Sequence, residues 1–146
     1  CELFARGATC GGPLAAVQRL ETLAKEAGAL QARLVPGAAL HTASMEAAAQ
    51  ALREALREVS PRMRPPVADV HMNCTGRPVF SGSSPKMFVP LLVRQLTEPV
   101  HWESCVRGML DSGVTHFVEV GPRAQLRAIL KRIDPVAHAR AEGVEV

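Results

Sequence analysis

Aromatic side chains are scarce in this chain: they make up 3% of its 146 residues, and there is no tyrosine. Proteins that stack nucleic-acid bases need such rings, so the composition counts against direct nucleic-acid contact. Strong charge of either sign is also missing. The formal net charge is +3 and is spread along the chain, which suits an acidic partner but is far from a basic arm. No apolar run approaches the ~20 residues of a transmembrane helix, so no membrane span is expected. Cysteine is limited to Cys1, Cys10, Cys74 and Cys105. These show no paired metal spacing and are too sparse for a disulfide framework, which points to reduced thiols in an intracellular compartment. Internal repeats and low-complexity stretches are absent. There is no initiating Met and no signal peptide, and Cys1 runs directly into Leu3-Phe4. A fragment that starts in mid-fold is expected.

What is present is globular. Hydrophobic residues make up 47% of the chain, and the length suffices for one domain with a real core. Ala8-Thr9-Cys10 reads as a short strand ended by Gly11-Gly12. Pro13 then opens a helix at a position where its missing N–H costs nothing. Leu14, Val17, Leu20, Ala24 and Ala27 share one face of that helix, Glu21 and Lys25 pair on its outside, and Gly28 caps it. Gln31 to Val35 has the composition of a buried strand, broken by Pro36-Gly37. A second amphipathic helix is predicted over 43–59, with Met45, Ala48, Ala49, Leu52, Ala55, Leu56 and Val59 as its apolar stripe. A strand follows around 67–72, and then a loop over 73–84. Ser84-Pro85 serves as N-cap and first residue of a helix through Leu96. Another helix spans about 102–110 and ends at Gly113. Thr115 to Val120 is rich in β-branched and aromatic residues and reads as a strand. Gly121-Pro122 turns it into a helix carrying Leu126, Ile129, Leu130 and Ile133. Pro135 ends that helix, and residues 136–146 read as a tail. Strands separated by helices of this length argue for an α/β fold with some parallel pairing.

Several residues are candidates for chemistry. His41 falls between an apolar run and a helix start, the edge where α/β folds gather ligands. Imidazole is the usual proton acceptor near neutral pH. On spacing alone, a surface or capping histidine is the plainer reading. Gln95, on spacing alone, is an ordinary polar residue late in an amphipathic helix. His71, His101, His116 and His138 share no ligand spacing. Cys74 and Cys105 lack the helix-start or basic setting that would activate a thiol. Arg123, Arg127 and Lys131, with Arg132 beside them, line one side of the last helix. The plainer reading of that side is a solvated face that complements the helix C-terminus.

Three segments, taken together and in order, change these odds: Ala38-Ala39-Leu40-His41-Thr42-Ala43-Ser44-Met45-Glu46, Val93-Arg94-Gln95-Leu96-Thr97-Glu98-Pro99-Val100-His101-Trp102 and Phe117-Val118-Glu119-Val120-Gly121-Pro122-Arg123. They resemble the C-terminal half of malonyl-CoA:acyl-carrier-protein transacylases of the bacterial or mitochondrial type. The resemblance runs from about Leu3 to Ile133. It implies a hydrolase-like α/β core with part of an inserted ferredoxin-like subdomain. Residues 1–37 would be the second half of that subdomain, 38–135 the C-terminal part of the core, and 136–146 a tail. It places His41 at the position of the family's catalytic histidine and Gln95 where a backbone carbonyl orients that ring. Leu40 stands where the family has an aromatic residue, Ala38 where it has glycine, and Arg123 where glycine is usual. If the glycine at position 123 carries positive φ, Arg123 is strained there. Glu119 is expected to be structural, and Trp102 to pack in the core.

The resemblance also implies partners. Acyl carrier protein is one, and the basic last helix is a possible docking face for it. The other is an N-terminal half, in the same protein or a second chain, because a Gly-x-Ser-x-Gly elbow, a Gly-Gln-Gly segment and a carboxylate-binding arginine have no counterpart in these residues. A base without a nucleophile cannot form an acyl-enzyme, so the chain alone is predicted inactive. No metal or tightly held cofactor is implied, with malonyl-CoA and the phosphopantetheine arm entering as substrates. Leu3-Phe4 followed by a strand is closer to mitochondrial members, which implies the mitochondrial matrix rather than cytoplasm or plastid. The alternative is a non-catalytic homologue serving as a structural subunit of a larger assembly.

Overall fold

Ala49 and Leu56, about two turns apart on the second amphipathic segment, set the central packing of the computed structural model, which describes residues 1–146. This segment begins as a turn of 3-10 helix at Ala43–Met45 and continues as α2 (Glu46–Val59). Ala49 is only 1% exposed, so its small side chain lets α2 lie close against α3 (Phe88–Thr97). Val93 of α3 completes that cluster, with Leu52, Val89, Leu92 and Leu96 around it. The rest of the expected stripe is only partly used: Met45 and Leu52 are half-buried, whereas Ala48, Ala55 and Val59 are exposed.

The opposite side of α3 rests on an antiparallel hairpin of β3 (Val70–Met72) and β4 (Arg77–Val79), with His71 opposite Pro78. Met72, Cys74, Val79 and Phe88 form the second cluster. The third surrounds Val106 of α4 (Trp102–Asp111), with Leu130 and Ile133 of α5 (Gln125–Ile133) and with Ala137. Trp102 packs at its edge, as expected of a core residue.

Five expectations are corrected. The strand near Ala8 lies earlier, as β1 (Glu2–Phe4) paired antiparallel with β2 (Gly7–Ala8). Residues 31–35 form no strand, because no neighbouring strand in the chain offers them a ladder, and Leu34 and Val35 are exposed. The loop over 73–84 contains β4, since Pro78 is tolerated in an outer strand that pairs on one side only. Ser84 makes no capping bond, and the helix starts as a 3-10 turn at Pro85–Met87. Residues 136–146 are not a tail but form α6 (Pro135–Ala139) and β6 (Ala141–Val144), the latter parallel to β5 (Phe117–Val120). The α1 helix (Leu14–Glu26) forms where expected, with the Lys25–Glu21 pair at 2.7 Å, yet buries no residue of its own.

That exposure is general. The chain shows 10149 Å² of accessible surface. A closed globular protein of this mass would show ~7,200 Å². The exposed surface includes large apolar side chains, among them Leu14, Leu23, Val35 and Val67, and Val118 and Val120 on β5.

Two joints hold the framework. At the first, Glu119 on β5 accepts the N–H groups of Leu126 (2.8 Å) and Arg127 (2.9 Å) at the start of α5. Ala124 provides no side-chain cap, so the strand supplies one to the helix that follows. Burial opposes ionisation of this carboxyl. The backbone N–H groups of Leu126, Arg127 and Gln125, helped by the Arg127 guanidinium, outweigh it and hold the carboxyl below the usual range. At the second joint, Gly76 has φ +66°, and a Cβ there would lie 2.6 Å from Cβ of Ser104. Only glycine lets the hairpin turn approach α4 this closely.

Both joints yield predictions for the native protein under urea denaturation. Glu119→Ala should lower stability by about 1 kcal/mol near neutral pH, as for other lost N-caps. Because the folded-state carboxyl titrates below its unfolded value, its contribution is complete above about pH 5 and is lost as pH falls through the folded value. Wild-type and variant midpoints should therefore converge in acid. A constant gap down to the acid limit would refute the cap. Gly76→Ala should cost about 3 kcal/mol from combined strain and overpacking, and a loss below about 1 kcal/mol would show that the turn relaxes freely.

Candidate active site

The turn that carries His41 is held by its own backbone. The Leu40 N–H donates to the Ala38 carbonyl at 2.8 Å. The Thr42 hydroxyl donates to the Ala39 carbonyl at 2.6 Å and accepts the Ser44 N–H at 3.3 Å. Thr42 thereby caps the 3-10 turn that leads into α2. Between these ties His41 has φ 57°, and no other non-glycine residue has positive φ. For an L-residue this conformation costs about 1–2 kcal/mol. Such strain persists only where the surroundings over-determine it, and it concentrates at functional sites.

The strained backbone aims the ring at α3. The imidazole Nδ1 lies 2.6 Å from the main-chain oxygen of Gln95. A carbonyl oxygen only accepts, so Nδ1–H is the donor and the neutral ring carries its proton there. Nε2 is left unprotonated and able to take a proton. An acceptor behind one ring nitrogen fixes both tautomer and orientation, the part that a carboxylate plays in a Ser-His-Asp arrangement. Gln95 lies in the last turn of α3, where carbonyls lack intrahelical partners. The structure thus brings together the two residues singled out from the sequence, across 54 positions.

Gly11 is a further participant that the sequence did not mark. A Cβ there would lie 3.2 Å from Cγ2 of Thr42 and 3.3 Å from Cα of Ala39. The loop between β2 and α1 therefore packs on the back of the His41 turn. Its only sequence signal is the Gly11-Gly12 pair, which reads as a strand terminator. The segment after Gln95 is also pinned. The Glu2 N–H donates to Val100 O at 2.7 Å, and the His101 N–H donates to Asn73 O at 2.8 Å.

The remaining candidates lie apart from this pair. Nδ1 of His101 is 2.8 Å from Glu2, and Nε2 of His116 is 3.0 Å from Glu142, both at the surface. His71 lies against Gly108. Burial pushes the thiols of Cys74 and Cys105 upward, away from nucleophilic character. Arg123 is not at positive φ, so the strain considered for it does not arise. Arg127 turns inward, its Nη1 3.2 Å from the Cβ position of Gly143, which divides the basic row. Arg123, Lys131 and Arg132 stay exposed.

No family model matches the chain. Curated relatives and solved structures do. The malonyl CoA-acyl carrier protein transacylase of Haemophilus influenzae is 36% identical over 123 residues, covering 84% of this chain and 38% of that protein. The crystal structure of an acyl-carrier-protein S-malonyltransferase from Burkholderia pseudomallei superposes with a TM-score of 0.79 at 33% identity, over 92% of this chain and 41% of that one. A malonyl-transacylase in complex with its type II PKS acyl-carrier protein matches at a TM-score of 0.65 and 28% identity, with 92% and 41% coverage. The chain spans about two fifths of the length of these proteins. Sequence and fold agree: over its length this chain is similar to malonyl-CoA:acyl-carrier-protein transacylases, of which it spans about two fifths.

Proposed function

We propose that these residues are part of an acyltransferase that moves malonyl from CoA to the pantetheine thiol of acyl carrier protein, with His41 as general base. The observation that carries this reading is the Nδ1–H bond from His41 to the Gln95 carbonyl, which leaves Nε2 free to accept a proton. A serine from the part of the protein outside these residues attacks the malonyl thioester as Nε2 takes its proton. The C–S bond breaks, and the imidazolium returns the proton to the departing CoA thiolate. In the second half-reaction Nε2 removes the proton of the pantetheine thiol. That sulfur attacks the malonyl-serine ester, and serine leaves with the proton. No resident metal or cofactor takes part; malonyl-CoA and the phosphopantetheine arm are substrates.

The uncovered apolar surface and the 38% coverage of a relative support an N-terminal half as the missing partner. The complex of a related transacylase with its carrier protein supports the second partner. We divide the chain into residues 1–37 of a ferredoxin-like subdomain and 38–135 of the hydrolase-like core. The mitochondrial matrix is proposed from Leu3-Phe4 and the strand beside it, and recovery of the intact protein from cytosol instead would reject that placement. A purely structural subunit would have no reason to keep a strained histidine bonded to Gln95, which favours the enzyme.

Two variants of the intact protein test the site. His41→Ala should lower the rate of acyl-enzyme formation by about 10²–10⁴-fold, read as radiolabelled malonyl retained on the protein. Undiminished labelling rejects His41 as base. His41→Gly should be as inactive but more stable than His41→Ala by about 1 kcal/mol, because glycine adopts φ 57° without strain. The reverse order of melting temperatures would show that this backbone is unstrained.

A further inference from the structure

We infer that Pro99 is a positioning residue for His41, acting by withholding a hydrogen-bond donor from the Gln95 carbonyl. This rests on the reading of His41 as the general base. In an α-helix the carbonyl of residue i accepts the N–H of residue i+4. For Gln95 that residue is Pro99, which has no N–H. The oxygen is left for the imidazole, 2.6 Å away.

The helix stands one residue from closing this bond. Glu98 still donates its N–H to Arg94 O at 2.9 Å, the last regular bond of α3. Its side chain folds back in a two-point ion pair with Arg94, Nε–Oε1 and Nη2–Oε2 both at 2.8 Å. What stops the helix is the turn of Glu98 to φ −105°, ψ 155°. That is the extended region which a following proline imposes, because its ring disfavours the α conformation in the residue before it. Pro99 therefore acts twice: it diverts the chain at Glu98, and it carries no donor that could compete with His41. A residue with an N–H at position 99 would need mainly a rotation about ψ of Glu98 to bring that group under the Gln95 oxygen. That N–H would compete with the imidazole for its sole acceptor and so weaken the preference for the Nδ1–H tautomer.

The test uses the intact protein with ¹⁵N-labelled histidine, at about pH 8.5 where histidine rings are neutral. In the wild type, His41 should show a protonated Nδ1 and an unprotonated Nε2. Pro99→Ala should shift the signals toward the Nε2–H tautomer and lower kcat at least about tenfold, with KM unchanged within about twofold, as expected when a base is misaligned but substrate binding is not. A second variant places lactic acid at position 99, so that an ester oxygen replaces the N–H and the proline ring is also gone. It should keep the Nδ1–H tautomer and at least half of the wild-type kcat. Pro99→Ala with the wild-type tautomer and kcat overturns the proposal, and so does an ester variant that changes as Pro99→Ala does. Should Pro99→Ala fail to fold, the ester variant carries the test by the same criterion. A tautomer change in a protein without malonyl transfer would support the role of Pro99 while rejecting the function proposed above.

Discussion

The bond from Nδ1 of His41 to the Gln95 carbonyl is the constraint around which the rest of the molecule is organised. One end is held by a turn whose hydrogen bonds keep His41 in a conformation that L-residues avoid. The other end is a main-chain atom, so its position is set by the whole of α3 rather than by a rotamer. The distance between them is fixed by the packing of α2 on α3 through Ala49, Leu56 and Val93, two of which are small enough for close approach. An imidazole held this way has its orientation set in advance, the property that makes a pre-positioned group effective. The cost is local strain, offset by packing on either side.

The framework around this bond is open. Three small apolar clusters take the place of one continuous core, and Leu92 is shared by two of them. The parallel pair β5–β6 presents Val118 and Val120 outward, and α1 buries none of its residues. Parallel sheets are ordinarily covered on both faces. The 10149 Å² of accessible area includes these uncovered apolar side chains, and the His41 turn lies where Gly11 meets Ala39 and Thr42. Such a placement suits a site completed by groups that come from outside these residues.

The sequence made the helices legible because their apolar periodicity is long and strong, as with Ala49, Leu52 and Leu56 in α2 and Leu130 and Ile133 in α5. The short strands were harder. Gln31 to Val35 has strand composition, but a strand exists only with a partner, and the chain supplies none. Arg77-Pro78-Val79 and Ala141-Glu142-Gly143-Val144 carry little strand propensity, yet they pair because tertiary packing sets them beside β3 and β5. At the site, His41 and Gln95 are singled out only by the transacylase resemblance that the motifs carry. Spacing could not have linked them, since the atom that matters on Gln95 belongs to the backbone. The positive φ of His41 left no trace in composition, because it arises from Thr42 and Leu40 bonding around it. Glu119 was read as structural, and its carboxylate does cap α5.

The most direct test of a base that serves a two-step transfer is stopped-flow measurement of CoA release when the intact protein meets excess malonyl-CoA without carrier protein. A rapid burst of about one equivalent of CoA followed by slow hydrolysis is expected, the signature of an accumulating acyl-enzyme, with discharge of the trapped malonyl when carrier protein is added. Release without a burst, or no release until carrier protein is present, would contradict the two-step transfer.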